Sequence, residues 1–166
     1  MDVETLIRRL GLAPLPLEGG YFKETYRSSI RVAAEALGAG YSGARSVGTA
    51  IYFLLTPLSF SAMHSLPGDE TYHFYLGAPV FLLVLHPDGG SEEITLGTDL
   101  EGGMVVQYTV PGGSWQGSRL FPGGDFALLG TTMSPGFDVE DFELGHMADL
   151  VRRYPDRRAL IESLVR

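Results

Sequence analysis

The chain has 166 residues, of which 45% are hydrophobic and 19% are charged, and these proportions are typical of a single domain with an apolar core. Its net charge of -8 has the wrong sign for phosphate backbones or anionic lipid, so we expect neither nucleic acid nor a membrane as a partner. There are no cysteines, which excludes thiol nucleophiles and cysteine-ligated metals. The absence of disulfides, of a long apolar run and of a secretion signal predicts a cytoplasmic protein, with one domain over residues 1–166.

The helical patterns lie at the two ends of the chain. Asp2 is placed to cap a first helix whose apolar residues share one face, and Gly11 is placed to end it. Toward the C-terminus the segments 146–154 and 156–165 show the same spacing, and Pro155 separates them. We therefore predict short terminal helices.

The remainder of the chain shows the pattern of β-strands. Stretches rich in aromatic and β-branched residues alternate with Gly and Pro turns, which predicts an all-β sandwich or barrel. Residues 30–45 interrupt this pattern, and we interpret them as a mobile excursion. The predicted strands cover residues 20–28, 47–55, 59–66, 70–77, 80–86, 91–97, 104–110, 115–121, 125–133 and 136–143.

Polar residues on neighbouring strands are predicted to meet in one pocket. Because alternate residues of a strand face the same side, Glu70 and Tyr72 point together, and His64 on the preceding strand can join them. Gln116, on a later strand that follows a Pro-Gly-Gly turn, is predicted to reach the same place. His73 falls on the opposite face of its strand, where a half-buried structural role is favoured over a ligand role.

Other polar residues are candidate ligand-binding groups. Trp115 is predicted to form an aromatic wall of the barrel or to stack on a planar ligand, and Arg119 follows it on the same strand. On an early strand, alternating side chains predict a polar, partly cationic face, and a solvated strand face is the alternative. The residues of this face are Tyr21, Lys23, Thr25 and Arg27.

Several segments together resemble a known family. The matching stretches are 18–27, 49–55, 69–75, 111–117 and 135–145. They resemble the cupin superfamily and, more closely, its cupin-5 group of small single-domain proteins, formerly a domain of unknown function. The resemblance implies a double-stranded β-helix, the cupin jelly-roll barrel, and a homodimer paired through strands and a hydrophobic sheet face.

The resemblance also implies where a metal ion would bind. The general cupin pattern supplies two histidines and a glutamate from a first motif and a third histidine from a second motif. His64 and Glu70 fit this pattern, whereas Leu66 and Gln116 stand where the other two histidines belong. The loss of two imidazoles predicts no tightly bound metal and no other cofactor. A weakly bound divalent ion would use His64, Glu70 and Gln116.

The pocket is compatible with three kinds of function. An enzyme without a tight metal would act on a small polar metabolite by acid–base chemistry, as an isomerase, epimerase or lyase does. His64 would shuttle a proton, Glu70 would assist it, and Tyr72 and Gln116 would hold an oxyanion or hydroxyl. A binding module would use the same pocket without turnover, and a metal-dependent dioxygenase or isomerase is disfavoured by the missing imidazoles. The pairing of an imidazole with a carboxylate favours the enzyme.

Overall fold

The fold is known from a computed structural model that describes residues 2–38 and 40–166. In this part of the chain the helices lie mostly at the ends, and strands form the middle. The helices are α1 (Val3–Leu10), α2 (Ala34–Leu37), α3 (Met147–Arg153) and α4 (Arg158–Glu162), with 3₁₀ turns at Val139–Asp141 and Pro155–Arg157. The strands are β1 (Ala13–Pro14), β2 (Tyr21–Arg27), β3 (Arg31–Val32), β4 (Arg45–Ser46), β5 (Thr49–Leu55), β6 (Ser61–Ser65), β7 (Glu70–Gly77), β8 (Val80–Leu85), β9 (Ser91–Leu96), β10 (Gln107–Val110), β11 (Trp115–Leu120), β12 (Ala127–Met133) and β13 (Glu143–Leu144).

Two antiparallel sheets face each other and form the predicted jelly-roll barrel. The first has the strand order β1-β2-β5-β12-β7-β10, and the second has the order β13-β6-β11-β8-β9. Strands β3 and β4 form a separate hairpin. The nonconsecutive order within each sheet is the double-stranded β-helix topology that the sequence predicts. None of the helices in the described residues is long and apolar enough to cross a membrane.

Apolar side chains fill one end of the barrel interior. Phe53, Leu55 and Leu129 are fully buried there between the sheets, together with residues of β8, β9 and β11. The opposite end of the same strands carries smaller or polar groups, including Thr49 and Thr131. The barrel is therefore packed at one end and leaves a polar cavity at the other.

Two further apolar clusters lie outside the barrel. The C-terminal helices cover the outer face of the five-stranded sheet, where Leu83, Leu85 and Ile161 are fully buried. Helix α1 covers part of the other sheet through Leu6 and Leu54. Both terminal helical regions thus shield apolar sheet surface from solvent.

The cap prediction for the first helix is confirmed. The Oδ1 atom of Asp2 accepts a hydrogen bond from the backbone N–H of Thr5 at 2.7 Å, and Gly11 ends the helix with φ 64°. A left-handed φ of this kind favours glycine because it has no Cβ.

Two segments differ from the prediction. The sequence pattern predicts a strand over residues 136–143, but they form a 3₁₀ turn, started by an Asp138 side chain that accepts from the Glu140 N–H, and then the short strand β13. The excursion at 30–45 contains the β3–β4 hairpin and the four-residue helix α2, so helix is not confined to the chain ends; its residue 39 lies outside the described part. The Asp138 side chain accepts from the backbone N–H of Glu140, which favours a turn over a strand, and alternation of apolar residues cannot reveal this.

Candidate functional site

A cavity of about 140 Å³ opens at the polar end of the barrel. Strands β2, β5, β7 and β12 and the loop before β2 supply its walls. The lining is apolar apart from two threonines, one cation and three carboxyl groups. The lining residues are Leu15, Glu18, Phe22, Glu24, Arg27, Thr49, Ile51, Leu66, Glu70, Thr131, Met133 and Phe137.

Glu70 links this cavity to a buried polar cluster behind its wall. The Gln116 side chain donates a hydrogen bond from Nε2 to Oε2 of Glu70 at 2.8 Å, and the Nε2 atom of His64 lies 3.8 Å from the same oxygen. His64 and Gln116 are 1% and 2% exposed, and neither lines the cavity. Glu70 is therefore the member of this group that a bound molecule would meet.

The protonation of His64 follows from its contacts. Its Nδ1 atom lies 2.8 Å from the carbonyl oxygen of Ala62, and because a carbonyl only accepts, Nδ1 carries a proton and Nε2 faces the carboxylate. Burial lowers the pKa of His64, but the charges of Glu18 and Glu70 outweigh burial and raise it to about 9. The imidazole is thus a cation at neutral pH. On one face it stacks on Phe142, with ring centroids 5.1 Å apart.

Glu18 is a second carboxyl group on the cavity wall. Burial raises its pKa, His64 opposes this shift, and Glu70 adds to it through repulsion between the two carboxylates. The Ser61 hydroxyl donates a hydrogen bond to Oε1 of Glu18 at 2.7 Å. The three carboxyl groups on the cavity wall therefore have different surroundings, since Ser61 donates to Glu18, Gln116 donates to Glu70, and Glu24 pairs with Arg27.

The predicted residues His64, Glu70, Tyr72 and Gln116 lie in one region of the barrel. Tyr72 is 1% exposed, and its pKa lies well above the ordinary value, first because of burial and then because of Glu70 and Glu18. Its hydroxyl stays protonated at neutral pH. His73 lies on the other face of β7, where its ring nitrogens contact the side chains of Thr132 and Gln107 at 2.9 and 3.0 Å.

The predicted cationic face of β2 does not form. A β-bulge lies between Glu24 and Tyr26, so that Thr25 is an extra residue in the pairing with β5. Tyr21 packs outside the barrel, in the cluster under α1, and Lys23 shares that side through its pairing with Tyr52. The bulge reverses the alternation and turns Arg27 inward to the cavity. The hydroxyl of Thr25 donates to the Ala50 carbonyl. We therefore leave Tyr21, Lys23 and Thr25 out of the site.

Trp115 and Arg119 also lie outside the cavity. They pair with Leu85 and Phe81, which face away from the barrel interior, whereas Gln116 between them pairs with inward-facing Val84. Trp115 packs against the cluster under the C-terminal helices. Instead of walling the interior, it helps to attach those helices. Arg119 lines a different pocket, at the other end of β5.

Sequence reasoning missed Glu18 and Glu24 as groups of the cavity, and it placed Arg27 on the wrong face of β2. Glu18 lies in the loop before β2, and the following glycines, Gly19 and Gly20, have φ of 105° and 74° that aim this loop toward the barrel. Arg27 lies on the opposite face of β2 from the one that simple alternation predicts. An isolated acidic residue before a glycine pair was the available signal for Glu18, whereas nothing in the sequence marked the bulge.

The cluster does not fit the metal that the cupin pattern implies. The Nδ1 atom of His64 is hydrogen-bonded to the Ala62 carbonyl, so this residue offers a metal one nitrogen, Nε2. The Gln116 amide gives its N–H group to Glu70, and its Oε1 atom is buried without a hydrogen-bond partner in the described chain. Leu66 stands on the cavity wall where a second imidazole would be needed. Over residues 2–38 and 40–166, no three His, Asp or Glu side chains are grouped so as to hold a metal.

The cavity has an apolar entrance. A second depression of about 260 Å³ shares Leu15, Glu18, Phe22 and Phe137 with the cavity and extends it toward solvent. Its outer part is almost wholly hydrocarbon, formed by Pro16, Leu17, Val139 and Phe142. A molecule that reaches the carboxyl groups through this opening passes apolar side chains first.

Comparison with known proteins identifies relatives over most of the chain. A family model named Cupin_5 and described as "Cupin superfamily (DUF985)" matches residues 4–145. An uncharacterized protein of Saccharomyces cerevisiae is 38% identical over 133 residues, which are 75% of this chain and 66% of the yeast protein. The chain therefore spans just under two thirds of the length of that curated relative.

Solved structures show the same architecture. A hypothetical protein from Leishmania major is similar with a TM-score of 0.89 and 36% identity, over 99% of both chains. A protein from Shewanella oneidensis has a TM-score of 0.88 and 32% identity, over 100% of this chain and 98% of the other. Oxalate decarboxylase from Bacillus subtilis has a TM-score of 0.53 and 12% identity, over 92% of this chain and 37% of that enzyme, and this likeness concerns the fold alone.

Proposed function

We propose that this chain, which belongs to the Cupin_5 family of the cupin superfamily, is an enzyme that moves a proton on a small metabolite. Its barrel places Glu18 and Glu70, two carboxyl groups with different surroundings, on one cavity wall. The observation that carries this proposal is the cluster of Glu18, Glu70 and His64. A binding module has no need of two carboxyl groups with a buried imidazolium beside them. The proposed reaction is that of an isomerase, epimerase or lyase, and the proposed location is the cytoplasm.

Each group of the cluster has a distinct proposed role. Glu70 faces the cavity and accepts the proton from the substrate, since His64 and Gln116 hold its carboxylate in place from behind. Glu18 is proposed to return the proton or to hydrogen-bond to the developing oxyanion, and burial, which raises its pKa, favours the protonated form that this role needs. His64 does not touch the substrate in this scheme. Its positive charge stabilises the carboxylate pair, which revises the direct shuttle predicted from sequence.

The shape of the site limits the substrate. The inner cavity of about 140 Å³ has room for roughly four to five water volumes of ~30 Å³ each, so it admits the reacting end of a metabolite and little more. The entrance is lined by Leu17, Phe137 and Val139, and it suits an apolar body. We propose a substrate with a small polar head and an apolar remainder, processed without a tightly bound metal.

Deuterium uptake tests the proposal even while the substrate is unidentified. Metabolite pools are incubated with the protein in D₂O and searched by mass spectrometry for compounds that gain deuterium or change mass. Glu70→Gln should lower the rate for such a compound by ~10²–10⁴, the usual contribution of a general base. Glu162→Gln, an exposed change on α4 that removes the same charge, should leave the rate unchanged.

Three results would contradict the proposal. A compound that binds and raises the melting temperature but never exchanges would identify a binding module. A rate that survives Glu70→Gln would remove the assigned base. Activity that is lost on dialysis against EDTA and restored by a divalent ion would return the metal-dependent hypothesis to first place.

A further inference from the structure

A second pocket, of about 350 Å³, lies at the other end of the barrel. Thr49, the first residue of β5, lines the proposed site, and Thr56, which directly follows the last residue of β5, lines this pocket. At ~3.3 Å per residue the two sites are separated by roughly 20 Å. The loop from β5 to β6, the end of β11 and the turn that follows it form the walls.

Arg119 is the charged residue of this pocket. Its Nε atom is buried and has no hydrogen-bond partner in the described part of the chain. The guanidinium lies over the ring of Phe81, 5.7 Å from its centroid, and Phe121 meets that ring edge to face at 6.4 Å. Aromatic packing therefore holds the guanidinium, while its donors lack a carboxylate.

This arrangement is unusual in an acidic chain. The sequence has 20 carboxyl residues for 12 Lys and Arg, yet no Asp or Glu lines the pocket around Arg119. By contrast Arg27, Arg45 and Arg157 all form ion pairs with carboxylates. The buried Nε donor without an acceptor costs free energy, and the terminal amino groups of this partly exposed side chain are the donors that a bound group could meet.

The rest of the pocket fits the body of a small molecule. Pro57, Leu58 and Pro122 give apolar walls, and the Thr56 and Ser59 hydroxyls, 3.1 Å apart, add a polar edge. The turn after β11 is fixed by a hydrogen bond from the Gly124 N–H to the Phe121 carbonyl, and Gly123 has φ 87°. This hydrogen bond closes the turn that forms one wall of the pocket.

We propose that this pocket binds a small organic anion, through a carboxylate or phosphate group on Arg119 and an apolar body on the prolines and Leu58. The planar guanidinium can give two parallel hydrogen bonds to either anion. The site is separate from the proton-transfer cavity and does not depend on the function proposed for it.

Titration of the protein with three probes tests the site. Benzoate, phenyl phosphate and inorganic phosphate are followed by NMR shifts of the backbone amides of Arg119, Gly123 and Gly124. Binding by benzoate alone or phenyl phosphate alone identifies the preferred anion, and binding by both supports a general organic-anion site. Shifts elsewhere on the barrel, or no saturation by any probe up to ~10 mM, would overturn the proposal.

Variants connect the binding to the guanidinium. Arg119→Gln should lower the affinity for the probe at least about tenfold. Arg119→Lys should lower the affinity less, because a lysine keeps the charge but loses the paired donors. Arg158→Gln, on the exposed face of α4, removes the same charge and should change nothing. Glu70→Gln should also leave binding intact, so that failure here and failure of the proposed enzyme are distinguishable. Equal affinity in Arg119→Gln, with an unchanged amide spectrum elsewhere, would contradict the assignment.

Discussion

At the level of single residues, the chemistry of the barrel depends on how three ionisable groups share one buried space. The charges of Glu18 and Glu70 raise the pKa of His64, and together with burial they raise the pKa of Tyr72. An isolated buried imidazole would lose its proton, so the charge on His64 exists because of its neighbours. The pKa of His64 therefore depends on both carboxyl groups, and removing either one should lower it.

The first prediction concerns the pH dependence of stability. The pKa of His64 is raised from about 6.5 to about 9 in the folded protein, so its contribution is fully present below pH 6.5 and is lost as the pH rises through about 9. The raised pKa of Glu18 makes stability fall from a lower pH, near its ordinary value of 4.5, and so adds a fall that begins below the range of pH 6.5 to 9. We expect the free energy of unfolding to fall by at most about 3 kcal/mol over this range. Urea unfolding at a series of pH values measures it.

Substitution separates the two contributions. His64→Gln should remove the slope between pH 6.5 and 9, and Glu18→Gln should lower the NMR titration midpoint of His64, since Glu18 is the largest charge that raises it. His86→Gln, at a ring that contacts exposed Glu92, is the matched control and should keep the slope. A His64 midpoint near 6.5 in the unsubstituted protein would show that the carboxylates do not hold its proton.

At the level of elements, alternation along β7 was enough to predict that Glu70 and Tyr72 point inward and His73 outward. The same rule failed on β2, because a single extra residue at Thr25 exchanged the two faces for every residue after it. Bulges depend on the pairing with β5, and one strand alone does not encode them. Glu18 was missed for a related reason, since the direction of a loop is set by glycine dihedral angles and by what the loop packs against.

The second prediction concerns the segment that carries Phe137 and Phe142 to the entrance. Asp141 accepts two hydrogen bonds from Arg45, at 2.6 and 2.7 Å, and the two side chains are 5% and 3% exposed. Asp141→Asn leaves the Arg45 charge buried with a weaker partner. We expect a loss of about 3–5 kcal/mol of stability, measured by denaturant unfolding.

The neighbouring carboxylate provides the control for this pair. Glu140 lies 3.7 Å from the same guanidinium but is 66% exposed, so that Glu140→Gln should cost less than about 1 kcal/mol. If the two substitutions lowered the free energy of unfolding equally, burial of the Asp141–Arg45 pair would add nothing to stability. A stable Asp141→Asn protein would show that this segment is held by its apolar contacts instead.

At the level of the whole molecule, the two sheets differ in how their outer faces are covered. The C-terminal helices cover the five-stranded sheet, where Phe81 packs against their cluster. The six-stranded sheet is covered only partly by α1. Tyr52 and Tyr75 meet edge to face on it at 6.3 Å, and Tyr75 is 48% exposed. Aromatic surface left open on the outer face of a sheet is typical of an interface between copies of a chain.

The last prediction is that the protein is a homodimer joined through this outer face of the six-stranded sheet. This face exposes large apolar side chains, namely Tyr26 (56%), Tyr75 (48%) and Leu76 (40%). In a symmetric dimer these side chains would be buried on both copies. Light scattering should give twice the 18.0 kDa chain mass. Tyr75→Lys should lower it to the monomer value at micromolar concentration, because the lysine charge would be buried against its own copy. Leu58→Lys, at a residue that is 99% exposed outside this face, should leave the dimer intact. A monomer at all concentrations, or a dimer that survives Tyr75→Lys unchanged, would place the interface elsewhere or remove it.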